Sequence, residues 1–284
     1  MILVTGALGQ LGTAFRRILG DAATYVDVAD LDLRDEEATR GAVAGLRPYL
    51  ILNCAAYTAV DRAEQEPGPA RDINTRVVAV LAEAAADVGA KFVTYSTDYV
   101  FDGSKPEPYV ESDETNPLSV YGATKRDGEA LALIANPETL VVRTSWLLSG
   151  THPNFATTML RLARERVLSV VDDQRGHPTL VDDLAPATLA AVEAGATGVL
   201  HLANAGVTTW YGLAREVLEI AGEDPEQIQP CATADYPTPA HRPANSVLNS
   251  ERVAILGLQP MPPYGPGLER AVAEIESWLD ASKG

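Results

Sequence analysis

The chain has 284 residues, 46% of them hydrophobic, with 39 acidic against 22 basic side chains and a formal charge of −17 at pH 7. That is enough for one large α/β domain or two modest ones, and so acidic a chain argues against nucleic acid or an anionic membrane as partner, though not against a small anionic ligand. No apolar run approaches the roughly 18 residues of a membrane span, no signal peptide is expected, since the apolar run at residue 2 has no basic stretch before it and reads as a strand, and two cysteines, Cys54 and Cys231, make no disulfide framework.

Taken in order, Ile2 to Thr5 reads as a buried strand, and Gly6-Ala7-Leu8-Gly9-Gln10-Leu11-Gly12 follows it at once, opening a helical pattern that runs to Leu19. Strand, glycine turn and helix in that order let a backbone approach a pyrophosphate, whose charge sits against the N–H groups of the helix start. The spacing is G-x-x-G-x-x-G rather than the commoner G-x-G-x-x-G, and a plain βα turn is the alternative. Thr24 to Val28 is the second predicted strand, ending near Asp27, about 20 residues past the glycines, where an acid can hold adenosine ribose hydroxyls. Asp30, Asp32 and Asp35 crowd the same loop, and Asp32-Leu33 suits the adenine edge equally well.

Asp35 to Leu46 is predicted helix and Tyr49 to Asn53 a third strand, apolar as parallel strands are. Asn53-Cys54-Ala55-Ala56-Tyr57 then offers small residues where backbone passes close to a cofactor, or simply a tight βα connection; Cys54 reads as an inert buried thiol. Ala70 to Val88 is helix, closed by Gly89. Lys91 to Ser96 is strand and delivers Ser96-Thr97-Asp98 at its carboxyl end, where open α/β sheets place their sites.

A polar loop, 102–118, precedes the helix predicted from Ser119 to Ala135, which carries Tyr121 and Lys125 one turn apart on one face. An ammonium beside a phenol favours the phenolate and lowers the tyrosine pKa from about 10, fitting it to move a proton to or from a carbonyl oxygen. By itself the pair is equally open to a chance surface Tyr and Lys. Leu140 to Ser145 is the next strand. Strand–helix alternation to this point predicts a doubly wound parallel sheet, Rossmann-like, over residues 1–150. Beyond it lie helices over Asn154–Arg166, Asp182–Glu193, Trp210–Ala221 and Gly267–Ala281, strands over Leu168–Val171 and Val199–Leu202, and a proline-bearing loop, 232–249. Residues 151–284 are expected to form a smaller substrate-binding lobe, with elements around 180–203 returning to the first domain. Four scattered histidines show no ligand spacing, so no catalytic metal is expected.

The combination resembles a family, the extended short-chain dehydrogenase/reductases, and within them the dTDP-4-dehydrorhamnose reductases. The resemblance covers nearly the whole chain. It rests on Gly6, Gly9 and Gly12; on Asn53 to Asp61; on Tyr95-Ser96-Thr97-Asp98-Tyr99-Val100-Phe101; and on Tyr121 with Lys125. It continues through Arg143-Thr144-Ser145-Trp146, Asp173-Gln174 with Gly176 and Pro178-Thr179, and Arg242-Pro243-Ala244-Asn245-Ser246.

The resemblance implies reduction of the C4 ketone of a dTDP-4-keto-6-deoxyhexose to dTDP-L-rhamnose. Tyr121 would be the general acid; Lys125 would hold the nicotinamide ribose and lower the tyrosine pKa; Thr97 would bond the carbonyl oxygen. The cofactor would lie along Gly6, Gly9, Gln10, Leu11, Gly12, Asp27, Asp32, Leu33, Ala55, Ala56 and Tyr57 as well as Tyr121 and Lys125. Candidates for the sugar nucleotide are Asp98, Tyr99, Trp146, Asn154 and Arg242, the last for its forked guanidinium on a diphosphate.

Dual use of NADPH and NADH is expected from an acid at Asp27 with Val28 and Ala29 beside it. Where some members bridge a dimer through magnesium from an acid near the first helix, this chain reads Thr13-Ala14-Phe15; monomer or homodimer stays open, and a cytoplasmic setting is expected. A sister 4-ketoreductase making another deoxysugar, such as dTDP-dihydrostreptose, and a non-catalytic regulatory subunit on the same fold are the alternatives.

Overall fold

The computed structural model describes residues 1–281. Six strands form one parallel sheet: β1 (Ile2–Thr5), β2 (Ala23–Val26), β3 (Leu50–Asn53), β4 (Lys91–Thr97), β5 (Thr139–Thr144) and β6 (Gly198–His201), in the spatial order β6-β5-β4-β3-β1-β2. β1, β3 and β5 are buried at every residue, as parallel strands covered on both faces must be. One face packs helices α1 (Gln10–Leu19) and α6 (Val181–Glu193) around Phe15, Leu52, Leu140 and Leu184. The other packs α2 (Glu36–Leu46), α3 (Val78–Val88) and α4 (Val120–Ala135) around Val43, Ile51, Leu81 and Phe92. β6 and α6 come from the second half of the sequence, so the chain crosses out of this unit and back.

The remaining elements build a lobe of their own: α5 (Phe155–Ala163), α7 (Trp210–Ile220) and α8 (Tyr264–Ala281), with Leu168–Val171 paired in parallel to Ile228–Cys231. Leu160, Leu213, Val217, Ile228 and Leu268 fill its core, which reaches Trp146 at the exit of β5. Because β1 connects to β2 on one side and β3 lies on the other, the order of the strands reverses between β1 and β3, the place where open sheets of this kind form a crevice at their carboxyl ends.

Local chemistry sets several boundaries apart from those expected. β2 stops at Val26 because the Asp27 carbonyl accepts from Asp30 and Leu31 N–H (2.8 and 2.9 Å), a turn that peels the chain off the edge. Asp35, Ser119 and Asn154 stand just outside their helices as side-chain caps. The helix expected from Ala70 begins at Pro67 and passes through a π-helical stretch, Asp72–Val77, before α3. That stretch turns Asn74 toward Tyr57, where its side chain accepts from the backbone N–H and donates to the carbonyl (2.9 and 3.0 Å). It also presses its backbone against α4 at Gly128, where a Cβ would sit 2.1 Å from the Asn74 oxygen.

Candidate active site

At the carboxyl end of β1 the backbone must turn without leaving the sheet. Gly6 does so at φ +63°, and a Cβ there would lie 2.6 Å from the Ala55 nitrogen; a Cβ on Gly12 would lie 2.3 Å from the Gly6 carbonyl. The glycines thus let β1, the loop after β3 and the start of α1 close on one another. α2, α4, α5 and α7 each carry a side-chain cap, whereas α1 has none and no acid in its first turn. Its first N–H groups are therefore left for an anion. Leu11 has only its backbone to offer there, since its side chain is in the core.

A 270 Å³ cavity beside this loop is lined by Gly6, Asp27, Asp32, Leu33, Arg34 and Ala55, among others. Asp27 accepts from the N–H of Leu8 and of Val28, both at 2.8 Å. Arg34 is gripped by Asp32 through Nε and Nη2 (2.9 and 2.7 Å). Gly9, Ala56, Tyr57 and Lys125 line none of the three cavities described in this section.

A second cavity, 310 Å³, brings together Gln10, Thr97, Asp98, Tyr121, Trp146 and Asn154 from five separate stretches of sequence. Register explains part of this: Thr97 and Thr144 are partners across β4 and β5 at the last rung of the ladder. The Thr97 hydroxyl donates to Asp98 Oδ1 at 3.0 Å and accepts from Tyr99 N–H at 3.1 Å. Four buried polar atoms on this wall, Ser96 Oγ, Asp98 Oδ2, Thr144 Oγ1 and Trp146 Nε1, find no partner among the described residues. Buried polar atoms are rarely left unpaired, so a wall with four of them suits a ligand rich in hydroxyls. Asn154 is differently placed: its amide caps α5 and donates to the Ser149 carbonyl (2.7 Å) and to Gln10 Oε1 (3.2 Å), so its polar atoms are already spent.

Electrostatics in the cavity correct one expectation. Burial, with the Asp98 charge adding to it, pushes the Tyr121 phenol up to about 12, although the Thr97 hydroxyl pulls the other way. Lys125, 5% exposed, is pushed down to about 8 by burial, against the charge of Glu129. The phenol is raised, not lowered; desolvation is the largest effect on both groups. Asp98 is itself raised to about 7 by burial, against the nearby Ser246 and Thr97 hydroxyls, which favour its charged form. Burial also raises Cys54 well above the ordinary thiol range, which fits an inert side chain.

Trp146 sits at φ +45°, a strained conformation for a bulky residue, with its carbonyl held by Thr179 N–H at 3.1 Å. Its ring stacks on Trp210 (centroids 3.6 Å apart, 13° between planes), and Gly176 leaves room for it: a Cβ there would lie 2.6 Å from the indole. Trp210 and Phe155 also wall a third cavity, 460 Å³, with Asp61, Tyr99, Gln174 and Arg242. There Arg242 donates to both Asp61 oxygens (3.0 and 2.8 Å) and to Thr238 Oγ1 (2.7 Å). Sequence reasoning left Ser96, Thr144, Trp210 and Asp61 without roles. Ser96, Thr144 and Asp61 lay inside motifs it quoted, but nothing in the sequence links Trp210 to Trp146.

Comparison with known proteins fits this arrangement. The family model described as the RmlD substrate binding domain matches residues 1–277. A dTDP-4-dehydrorhamnose reductase of Streptomyces griseus is 44% identical, covering 91% of this chain and 88% of that protein. A probable dTDP-4,6-dihydroxy-2-methyloxan-3-one 4-ketoreductase of Streptomyces antibioticus is 42% identical over 96% of this chain and 95% of its own. The crystal structure of dTDP-4-dehydrorhamnose reductase from Bacillus anthracis in complex with NADP superposes with a TM-score of 0.92 at 36% identity, over 96% of this chain and 98% of that one. On these grounds the chain belongs to the dTDP-4-dehydrorhamnose reductase family.

Proposed function

We propose that this chain reduces the C4 ketone of dTDP-4-dehydro-6-deoxy-L-mannose to dTDP-L-rhamnose with NADPH, accepting NADH as well. The observation that carries the reading is the placing of Thr97 and Tyr121 on one cavity at the carboxyl end of β4, next to the uncapped start of α1.

The dinucleotide, when bound, supplies the hydride. The residues that would hold it are Gly6, Gly9, Gly12 and the N–H groups of Gln10 and Leu11 for the pyrophosphate, Asp27 for the adenosine ribose, Asp32 and Leu33 for the adenine edge, and Ala55, Ala56, Tyr57 and Lys125 toward the nicotinamide end. Thr97, once its hydroxyl turns from Asp98 Oδ1, gives a hydrogen bond to the ketone oxygen and aims it at Tyr121. A phenol pushed up to about 12 keeps its proton throughout neutral pH and has it to give to the alkoxide growing on C4. Both hydroxyls act on charge that develops only in the transition state, where their effect on rate is largest. Trp146 presents its ring and indole N–H to the sugar, Asp98 and Tyr99 border it, and Arg242 faces the diphosphate once released from Asp61.

The Streptomyces antibioticus relative favours a second reading, a 4-ketoreductase acting on a different dTDP-deoxysugar. Incubation with dTDP-4-keto-L-rhamnose and NADPH, followed by nicotinamide absorbance and NMR of the product, separates the two. In the same assay Tyr121→Phe is expected to lower kcat by several orders of magnitude with nucleotide affinity nearly unchanged. A variant keeping more than about a tenth of wild-type kcat would take Tyr121 out of the acid's role.

A further inference from the structure

Buried hydroxyls in this chain are mostly spent inside it. Thr5 Oγ1 donates to Asn53 Oδ1 at 2.7 Å, Thr139 Oγ1 to the Ala132 carbonyl at 3.1 Å, and Thr188 Oγ1 to the Leu184 carbonyl at 2.9 Å. Ser145, one residue beyond β5, donates from Oγ to the His177 carbonyl at 2.8 Å. Thr144 departs from this pattern: the residue is 4% exposed, and its buried Oγ1 has no partner among the described residues. The chemistry above gives it no part. We propose that Thr144 is a specificity-determining residue for the reduction. Its hydroxyl, with Trp146 Nε1 on the same wall, pairs with the sugar hydroxyls beside the ketone. The pocket then favours 4-keto sugars that keep oxygen at both C2 and C3. The inference rests on the reading of the site given above.

Register puts the group where this pairing needs it. Thr97 and Thr144 are opposite one another at the last rung between the parallel strands β4 and β5. Partners on neighbouring strands leave the same face of a sheet, about 4.8 Å apart. With Thr97 on the C4 oxygen, Thr144 therefore stands beside the groups that flank C4. In a 6-deoxyhexose one flank, C5, bears a methyl group, and the other carries the hydroxyls of C3 and C2; an unpaired hydroxyl suits the second. Trp146 follows two residues on, its ring held against Trp210 and its Nε1 also unpaired. Tyr57 Oη and Thr179 Oγ1 lack partners too, but they line none of the three cavities described above.

A buried hydroxyl left unpaired is a cost to the folded chain, and a methyl group of the same shape removes that cost. Valine is also well suited to a strand. Stability alone thus favours valine at position 144, and the hydroxyl has its use in the complex. It also bears on the choice between the two readings of the substrate. The sugar named for the Streptomyces antibioticus relative has hydroxyls at ring positions 4 and 6 and none at position 5, which is C2 in hexose numbering. A site built to hydrogen-bond a hydroxyl rejects the analogue that lacks it, because its own polar group is then left unpaired.

Calorimetry with dTDP-L-rhamnose and with its 2-deoxy and 3-deoxy analogues, in the presence of NADPH, tests this without turnover. The unaltered chain should bind each analogue at least about tenfold more weakly than dTDP-L-rhamnose. Thr144→Val should cut one of those two preferences to about twofold, leave NADPH affinity unchanged, and unfold at an equal or higher temperature. Thr144→Ser keeps the hydroxyl and should keep both preferences. Affinities of the unaltered chain within about twofold for all three sugars overturn the proposal, whatever the variants do. So does a Thr144→Val protein that keeps both preferences, weakens NADPH binding instead, or fails to fold. Such a result leaves turnover of dTDP-4-keto-L-rhamnose untouched, whereas loss of the assigned reaction would show as no turnover and no binding of dTDP-L-rhamnose.

Discussion

Arg143 and Arg242 each grip a carboxylate with two nitrogens on two oxygens, Glu129 in one case and Asp61 in the other. The first pair is 6% and 5% exposed and ties α4 to β5; the second is 19% and 41% exposed and stands on the wall of the 460 Å³ cavity. In the first, each charge is tolerable only because the other is there, so the pair behaves as one fixed object. In the second, Asp61 is half open to water, so parting it from the guanidinium costs far less. Burial, not hydrogen-bond geometry, separates a pair that positions from a pair that can be traded for a ligand.

The contrast is most easily broken at the buried end. Arg143→Met should lower the unfolding free energy by about 3–5 kcal/mol, because it leaves the Glu129 charge in a low-dielectric interior with no partner. Urea unfolding measures it; a loss under about 1 kcal/mol would put the pair in the same class as the exposed one.

Asp98 shows what becomes of a buried carboxylate with no arginine at all. Its folded-state pKa, about 7, lies above the unfolded value near 3.9. The stability that its proton contributes is therefore complete below about pH 4 and is lost as pH rises through 7, by as much as about 4 kcal/mol. Asp98→Asn removes that dependence, so its stability relative to wild type should climb between pH 4.5 and pH 8. Parallel unfolding curves at the two pH values that show a constant difference would mean that Asp98 is ionised throughout.

At the exposed pair the cost should fall on binding. Arg242→Ala should weaken dTDP binding by about 1.5–3 kcal/mol, the scale of hydrogen bonds to a charged group, while changing stability by less than about 1 kcal/mol. Calorimetry with dTDP and with NADPH separates the two sites: unchanged dTDP affinity would mean that the diphosphate binds elsewhere and that Asp61 never lets go.

How much of this could be read beforehand follows from the same distinction between local and distant partners. The glycine turn, the parallel strands and the Tyr121–Lys125 spacing are written in neighbouring residues, since apolar runs and four-residue steps are short-range patterns. Arg143 and Glu129 are 14 residues apart, Arg242 and Asp61 181, and Trp146 and Trp210 meet from the exit of β5 and the start of α7. Such pairings leave no period in the sequence. Nor does desolvation: the step from Tyr121 to Lys125 suggested a lowered phenol, and only the packing around them showed burial to be the larger effect. Asn154 is a further case, a polar residue whose sequence position suited a ligand and whose side chain serves as a helix cap.

The smallest effect expected concerns the choice of nicotinamide, and it turns on a third arginine–carboxylate pair. Asp27 is tied to the glycine loop by the Leu8 N–H and lines the 270 Å³ cavity, where a carboxylate suits a ribose diol and repels a 2′-phosphate. Arg34 lines the same cavity but is held by Asp32, the two being 55% and 42% exposed. An exposed pair costs at most about 1 kcal/mol to part, so a 2′-phosphate can draw Arg34 across to itself. What it gains from Arg34 is offset by Asp27 and by the loss of Asp32. The expectation is use of both cofactors, with no more than about a tenfold preference, or ~1.4 kcal/mol in the transition state. Measurement of kcat/KM for NADH and NADPH with the same sugar decides it. A preference for NADPH of a hundredfold or more would mean that a residue grips the phosphate outright, and Arg34→Ala would then show which: if the preference collapses, Arg34 is that residue, and if it persists, another residue holds the phosphate and it lies away from Asp27.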